Sequence, residues 1–178
     1  MSESTTHYNV QPSPDSLDAF WMPYTANRFF KENPLMVNGA EGCYLKTTDG
    51  KMIFDGLSGL WCSGMGHCRQ PIVDAVSKGI ATLDYSPAFQ VGHELAFKVA
   101  NKVKQLTPKG LDHVFFTNSG SESVDTALKM ARAYWRQKGQ PTKTRFIGRS
   151  RGYHGVNFGG ISVGGIGANR KLYGQGVE

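Results

Sequence analysis

The 178-residue sequence lacks the features that define several broad classes of protein. It contains no run of about 18 apolar residues, so no transmembrane helix is predicted. Its polar N-terminus has neither the basic nor the apolar region of a secretory signal. Lysine and arginine are scattered despite a net charge of +6, which predicts no nucleic-acid partner. We therefore expect a cytoplasmic globular protein with no membrane partner.

Cysteine is also scarce, with only three in the chain. An odd number without an export signal favours reduced thiols over disulfides. Cys62, His67 and Cys68 lie close together in the sequence, but their number and spacing do not match a closed zinc site. We predict no metal site.

Glycine is frequent, at 22 positions, and hydrophobic residues make up 39% of the chain. This balance favours an α/β protein with many tight loops, and it supplies enough apolar residues for a core. Residues 1 to about 17 are predicted to form a flexible tail. The aromatic cluster over residues 20–24 is expected to be buried against the body of the protein.

The first half of the chain contains signals for a hairpin and two helices. Two β-type runs within residues 43–55 flank Asp49 and Gly50, a pair that favours a tight turn. Apolar residues at helical spacing predict a helix over residues 71–83, which starts with a proline, and a second over about 93–106.

The second half predicts a strand, a turn and a helix in succession. The apolar run 113–117 has the composition of a buried parallel strand, and an amphipathic helix follows it and ends at Gly139. Residues 145–148 predict a short strand, and 150–167 a glycine-rich stretch whose backbone could approach a ligand. Too few strands are present to complete a doubly wound sheet, so we expect further strands downstream of Glu178.

The turn between the predicted strand and helix is a candidate phosphate site. Ser119 and Glu122 form a capping box, so the helix should start there with unpaired N–H groups at the positive end of its dipole. Gly120 allows close approach of the backbone, and the hydroxyls of Ser119 and Ser121 add donors. The alternative is a helix that is merely well capped. A P-loop is absent, and Arg170 replaces the third glycine of a dinucleotide-binding motif.

Three motifs in the same order resemble those of class III pyridoxal-phosphate (PLP) aminotransferases, over about residues 20 to 178. They are GLWC at 59–62, FFTNSGSESVDTALKMARAYW at 115–135 and GYHG at 152–155. Ser123, Thr126, GLWC and the MPYT of residues 22–25 resemble the branch that acts on ω-amino acids and pyruvate.

The resemblance implies an α/β fold of the PLP-dependent transferase fold type I. Residues 1–65 would form the N-terminal tail and a segment of the small domain, including the hairpin. Residues 66–178 would form the incomplete start of the large, mixed-sheet cofactor domain.

The resemblance also implies residue roles. Ser119, Gly120 and Ser121 would bind the phosphate of PLP, while Tyr153 would stack on its pyridine ring and His154 would shape the slot around it. The substrate pocket would contain Trp61 and Tyr24, with Phe89 reaching the site of a neighbouring subunit. The alternatives are that Tyr153 is a buried loop anchor and that Trp61, Tyr24 and Phe89 are simple core residues.

The implied activity is transfer of an amino group from an ω-amino acid such as β-alanine, or from a primary amine, to pyruvate. The partners would be these small molecules and other copies of the chain, in a homodimer or homotetramer with active sites shared across a dimer. No catalytic residue is assigned within the chain: the Schiff-base lysine, with the family's aspartate and arginine, is expected beyond Glu178, so these residues alone should not transaminate. Alternatives are another class III PLP enzyme, such as an aminomutase or decarboxylating transaminase, or a non-enzymatic anion-binding or assembly module.

Overall fold

The computed structural model describes residues 16–174. The predicted flexible tail therefore lies almost wholly outside the described residues. The chain divides into two compact units between Val91 and Gly92. The predicted domain boundary between residues 65 and 66 falls within the first unit and stays a prediction.

From residue 16 onward, the first unit contains a three-stranded antiparallel sheet, in the order β1-β2-β3, and three helical segments. Its elements in chain order are α1 (Asn27–Glu32), β1 (Val37–Glu41), β2 (Tyr44–Thr47), β3 (Met52–Phe54), α2 (Ser58–Trp61) and α3 (Gln70–Thr82). A tight turn at Gly42, which has a φ of 56°, joins β1 to β2.

The predicted hairpin is confirmed as the pair β2 and β3. Tyr44 pairs with Phe54 and Lys46 with Met52, and the Thr47 N–H donates to the Lys51 carbonyl at 2.9 Å. Residues 48–50 lie between this closing pair, with Gly50 at a φ of 85°. Asp49 keeps a negative φ, so only the glycine of the predicted turn pair takes the left-handed conformation.

Over its described residues, the second unit contains four helices: α4 (Glu94–Leu106), α5 (Gly120–Gln137), α6 (Phe158–Val163) and α7 (Gly167–Tyr173). Helix α5 packs against α6, and α6 against α7. The predicted helices α3, α4 and α5 are confirmed within a residue or two of their predicted ends. Gly139 follows α5 with a φ of 73°, the left-handed conformation expected after a helix end. Within residues 16–174, no helix is both long and apolar enough to cross a membrane.

Two predicted strands are absent from the described residues. Residues 113–117 and 145–148 have no regular structure, because a strand forms only by hydrogen bonding to a neighbour and neither segment has one here. The glycine-rich stretch is also more regular than predicted, since it contains α6 and the start of α7.

The predicted hydrophobic core is likewise absent from residues 16–174: no apolar side chain there is buried. Phe20, Trp21 and Tyr24 of the aromatic cluster are exposed, contrary to the expectation that this cluster would be buried. The apolar faces of α3 and α4 are also uncovered, with Val76 and Val99 about half exposed. The composition supplies apolar residues as predicted, but no described element lies over these faces.

Candidate functional site

Helix α5 begins at the predicted capping box. Ser119 is the N-cap, with extended backbone, and its hydroxyl oxygen accepts the Glu122 N–H at 3.1 Å. The Glu122 carboxylate reaches back to Asn118, accepting its backbone N–H at 2.9 Å and its side-chain amide at 3.2 Å. This is one residue earlier than in the usual capping box, where the glutamate accepts the N-cap N–H. The two contacts fix the direction in which the chain enters α5.

The first turn of α5 has the geometry of an anion cradle. The N–H groups of Gly120 and Ser121 lie at the start of the helix, where no intrahelical acceptor exists. A Cβ atom built on Gly120 would meet nothing within 4 Å, so the space over this backbone is open. The Ser121 hydroxyl oxygen accepts the Val156 N–H at 3.0 Å, which leaves its proton free to donate. These groups fit a phosphate.

The glycine-rich segment after residue 150 packs directly on this turn. Gly155 is buried, with a φ of 103°, and a Cβ atom placed on it would lie 2.8 Å from Ser121 Cα. Only glycine fits at this position, both for the backbone conformation and for the space. The Gly160 N–H donates to Asp125 Oδ1 at 2.9 Å, which ties α6 to α5 one turn further along.

Tyr153 and His154 lie in the same segment, immediately before Gly155. The structure thus brings them to the turn that contains Ser119, Gly120 and Ser121, although the two stretches are over 30 residues apart in sequence. Tyr153 is 60% exposed within the second unit. A Cβ atom on Gly152 would lie 2.9 Å from His154 Nε2, so the imidazole folds back over the backbone of the segment.

The three predicted substrate residues are all exposed, at 83% for Tyr24, 89% for Trp61 and 89% for Phe89. None of them takes part in a stacked or edge-on ring pair in the part of the chain that the structure describes. No described part of the first unit covers these three side chains. Tyr24 has a φ of 52° in a turn closed by Asn27, which exchanges hydrogen bonds with Met22.

Trp61 lies in a turn whose backbone is left-handed. All four residues of α2 have positive φ: 52° at Ser58, 59° at Gly59, 59° at Leu60 and 71° at Trp61. A left-handed conformation costs roughly 1–2 kcal/mol at each residue that carries a Cβ atom. Three of these four residues carry one, so other contacts must hold this turn in place.

Asp55 and His67 supply such contacts. Asp55 follows β3, and its carboxylate accepts the Leu57 N–H at 3.1 Å and the Gly59 N–H at 2.7 Å. The same carboxylate lies 2.7 Å from His67 Nε2, with side chains only 8% and 19% exposed. His67 is also fixed through its backbone, which exchanges two hydrogen bonds with Gly42 at 2.7 and 3.1 Å.

The hydrogen bond from His67 lowers the pKa of the Asp55 carboxyl below its ordinary value of 3.8, and the Gly59 and Leu57 N–H groups act in the same direction. A carboxyl whose pKa is lowered in the folded state stabilises the fold above the ordinary value. That contribution is lost as the pH falls through the lowered pKa. The contribution of the Asp55 carboxyl is therefore fully present at neutral pH.

Cys62 and Cys68 are free and exposed, as is Cys43. Over residues 16–174 no group of three or more histidines, cysteines, aspartates or glutamates could hold a metal ion. The His67 ring, which the sequence places near two cysteines, contacts Asp55.

Sequence reasoning missed Asp55, His67 and Asp125. For Asp125 a signal was present, since it is four residues after Ser121 on a predicted helix and therefore on the same face. For Asp55 and His67 the sequence carries only a weak signal, because their pairing depends on the loop that the structure folds between them.

Comparisons with known proteins identify the family of the chain. The family model described as aminotransferase class III matches residues 26–175. The omega-amino acid–pyruvate aminotransferase of Pseudomonas putida is 58% identical over 162 residues, which are 91% of this chain and 36% of that protein. The beta-alanine–pyruvate aminotransferase of Pseudomonas aeruginosa is 56% identical over 170 residues, 94% of this chain and 38% of that protein.

A solved structure is also similar: an amine transaminase from an uncultivated Pseudomonas species, in its PLP-bound, internal aldimine form. It superposes with a TM-score of 0.81 at 32% identity, covering 92% of this chain and 38% of that one. The predicted fold class, α/β of the PLP-dependent transferase fold type I, is confirmed by this likeness. The chain spans a little over a third of the length of each of these proteins.

Proposed function

The chain belongs to the class III aminotransferases, and on that basis we propose that its full gene product transfers an amino group from an ω-amino acid, such as β-alanine, or from a primary amine to pyruvate. The products are an oxo acid, malonate semialdehyde in the case of β-alanine, and alanine. The observation that carries the proposal is the 58% identity to the omega-amino acid–pyruvate aminotransferase of P. putida.

The proposed cofactor is pyridoxal 5′-phosphate, with its phosphate at the start of α5. The Gly120 and Ser121 N–H groups donate to the phosphate oxygens, and the Ser119 and Ser121 hydroxyls add two further donors. The positive end of the α5 dipole favours the dianion. When bound, this cofactor supplies the electron sink for amino transfer.

The segment after residue 150 holds the cofactor ring. Tyr153 stacks on one face of the pyridine ring and excludes water from it, which keeps the reaction in a surrounding of low dielectric constant. His154 shapes the edge of the same slot. The hydrogen bond from Val156 to Ser121 supports this arrangement, because it couples the position of the ring-stacking segment to that of the phosphate cradle.

The substrate pocket contains Trp61 and Tyr24, whose rings contact the alkyl chain of the donor. An aromatic pocket suits a donor whose amine is on a terminal carbon, since most of what the protein must recognise is apolar. Phe89 reaches the site of a second copy of the chain, in a homo-oligomer that shares its active sites across a dimer. All three side chains are exposed within the first unit, as contact with a ligand or partner requires. A cytoplasmic location belongs to the same proposal.

The test is an assay of the full gene product, loaded with PLP, for alanine formed from β-alanine and pyruvate. The proposal predicts alanine and malonate semialdehyde in equal amounts, and at most one malonate semialdehyde per bound PLP when pyruvate is left out. Turnover of an amino acid without pyruvate would instead indicate an aminomutase, and release of CO2 from the donor would indicate a decarboxylating transaminase. A product that fails to bind PLP would indicate an anion-binding or assembly module without enzymatic activity.

A further inference from the structure

The turn that contains Trp61 is held by side chains that have no other role in the proposed reaction. Its four residues have positive φ, and three of them are not glycine. The fourth is Gly59, where a Cβ atom would lie 2.9 Å from the Ser63 hydroxyl oxygen, so that side chain would have to move. A turn with this backbone does not persist on local preference alone.

The Asp55 carboxylate holds the turn from the side of the sheet. Asp55 directly follows β3. Its N–H donates to the carbonyl of Cys43, the residue before β2, at 2.9 Å, so its backbone is fixed to the hairpin. Its two oxygens accept N–H groups from Leu57 and Gly59. The carboxylate therefore transmits the position of the hairpin to the first residues of the left-handed turn.

His67 holds the carboxylate from the other end of the loop. Its backbone pairs with Gly42 at the β1–β2 turn, and its Nε2 lies 2.7 Å from Asp55 Oδ2. Both ends of the loop are thus attached to the same small sheet, and the indole of Trp61 between them stays exposed.

The side chains of Ser63, His67 and Asp55 lie close together but do not form a nucleophilic triad. Ser63 Oγ and Asp55 Oδ2 lie 3.4 and 2.7 Å from the same ring nitrogen of His67. In a proton relay the hydroxyl and the carboxylate contact opposite nitrogens of the ring. The cluster therefore positions the loop and does not activate the serine.

We propose that Asp55 and His67 are positioning residues that hold the left-handed turn Ser58–Trp61 and so set the position of the Trp61 indole against the amine donor. The inference rests on the proposed function for the role of Trp61. It adds that two residues outside the pocket determine how well the donor fits.

The experiment uses the full gene product with 5-fluorotryptophan in place of tryptophan, observed by ¹⁹F NMR. Trp61→Phe assigns the Trp61 signal, and the signals of Trp21 and Trp135 serve as internal references. His67→Leu removes the ring nitrogen that contacts Asp55, while His67→Gln keeps an amide nitrogen near its place. The proposal predicts that the Leu variant shifts or broadens the Trp61 signal alone and that the Gln variant largely restores it. Should the Leu variant fail to fold, Asp55→Asn tests the same contact.

A kinetic cycle on the same protein provides the functional readout. His67→Leu is expected to raise the KM for β-alanine by about tenfold, with kcat changed by less than about twofold, and this effect should nearly vanish in a Trp61→Ala background. Independent, multiplying effects of the two substitutions would overturn the proposal, as would a Trp61 signal that does not respond. If the unsubstituted protein forms no alanine, the proposed function fails while the NMR experiment still decides whether the two residues hold the turn.

Discussion

Two loops of this molecule are each held by an aspartate. They differ in the sequence separation between that aspartate and its hydrogen-bond partners. In the first unit, Asp55 accepts N–H groups two and four residues away and pairs with a histidine twelve residues away. In the second unit, Asp125 accepts the N–H of Gly160, 35 residues away. The first loop is therefore organised mainly by its neighbours in sequence, whereas the second depends on the packing of α6 against α5.

This difference predicts which substitutions should lower the free energy of unfolding most. In a loop held by residues that are near in sequence, a substitution removes one contact and leaves the neighbouring contacts in place. The segment that contains Tyr153 is held by close backbone contacts between distant parts of the chain, so a small added volume there should disturb the whole phosphate cradle.

The largest effect is expected for Gly155→Ala in the full gene product. The new Cβ atom would lie 2.8 Å from Ser121 Cα, at a residue with a φ of 103°. Overpacking and backbone strain together should lower the free energy of unfolding of this region by about 3 kcal/mol. Urea denaturation of the variant and of the unsubstituted protein measures this change.

Gly139→Ala is the matched control. Its φ is 73°, but an added Cβ atom would meet nothing within 4 Å. The free energy of unfolding of this variant should fall only by the contribution of backbone strain, about 1 kcal/mol. Equal losses in the two variants would contradict the claim that the contact between the two distant segments is what matters.

A smaller effect is expected for Asp125→Ala. This substitution leaves the N–H of the buried Gly160 without its acceptor, at a cost of about 1–3 kcal/mol. Amide hydrogen exchange at Gly160 should become roughly tenfold faster or more, corresponding to that cost. Asp125→Asn keeps a carbonyl oxygen and should retain most of the protection; equal loss in both variants would indicate that the hydrogen bond contributes little.

The smallest effect is expected in the hairpin of the first unit, which is local throughout. Hydrogen bonds from Lys51 and Thr47 lower the pKa of the Asp49 carboxyl from 3.8 to about 2. A carboxyl with a lowered pKa stabilises the folded state above pH 3.8, and that contribution is lost as the pH falls toward 2.

A titration of the Asp49 carboxyl carbon by NMR measures this shift, and Lys51→Met should move the pKa back toward 3.8. An unchanged pKa in that variant would contradict the pairing of these two side chains. The change should not reach the residues of the second unit, in keeping with the local character of the hairpin.

The same distinction explains which parts of the structure were predictable from the sequence. The hairpin, helices α3 to α5 and the capping box of Ser119 and Glu122 all depend on residues close in sequence, and all were predicted. The left-handed turn at Trp61 was not, because Ser58, Leu60 and Trp61 have no preference for positive φ. Its stability comes from contacts that the sequence does not display.

The predicted strands at 113–117 and 145–148 were wrong for the described residues for a related reason. An apolar run indicates that a segment is suited to a buried strand, but the strand exists only when another strand lies beside it. The partners of Ser121 and Asp125 were missed because they are backbone N–H groups far along the chain. Resemblance to the family, and not the pattern of residues, was what associated Tyr153 with the start of α5.

The most direct test of the account is whether Ser121 recognises a phosphate. Pyridoxamine phosphate and pyridoxamine differ only in that group, and calorimetry can measure the binding of each to the cofactor-free full gene product. With Ser121→Ala, the loss of a hydrogen bond to a charged group should weaken the binding of pyridoxamine phosphate by roughly tenfold to a hundredfold. The binding of pyridoxamine should weaken much less, because it loses only the support that the Val156 N–H gains from the Ser121 hydroxyl. Equal weakening of both, or of neither, would contradict a phosphate site at the start of α5.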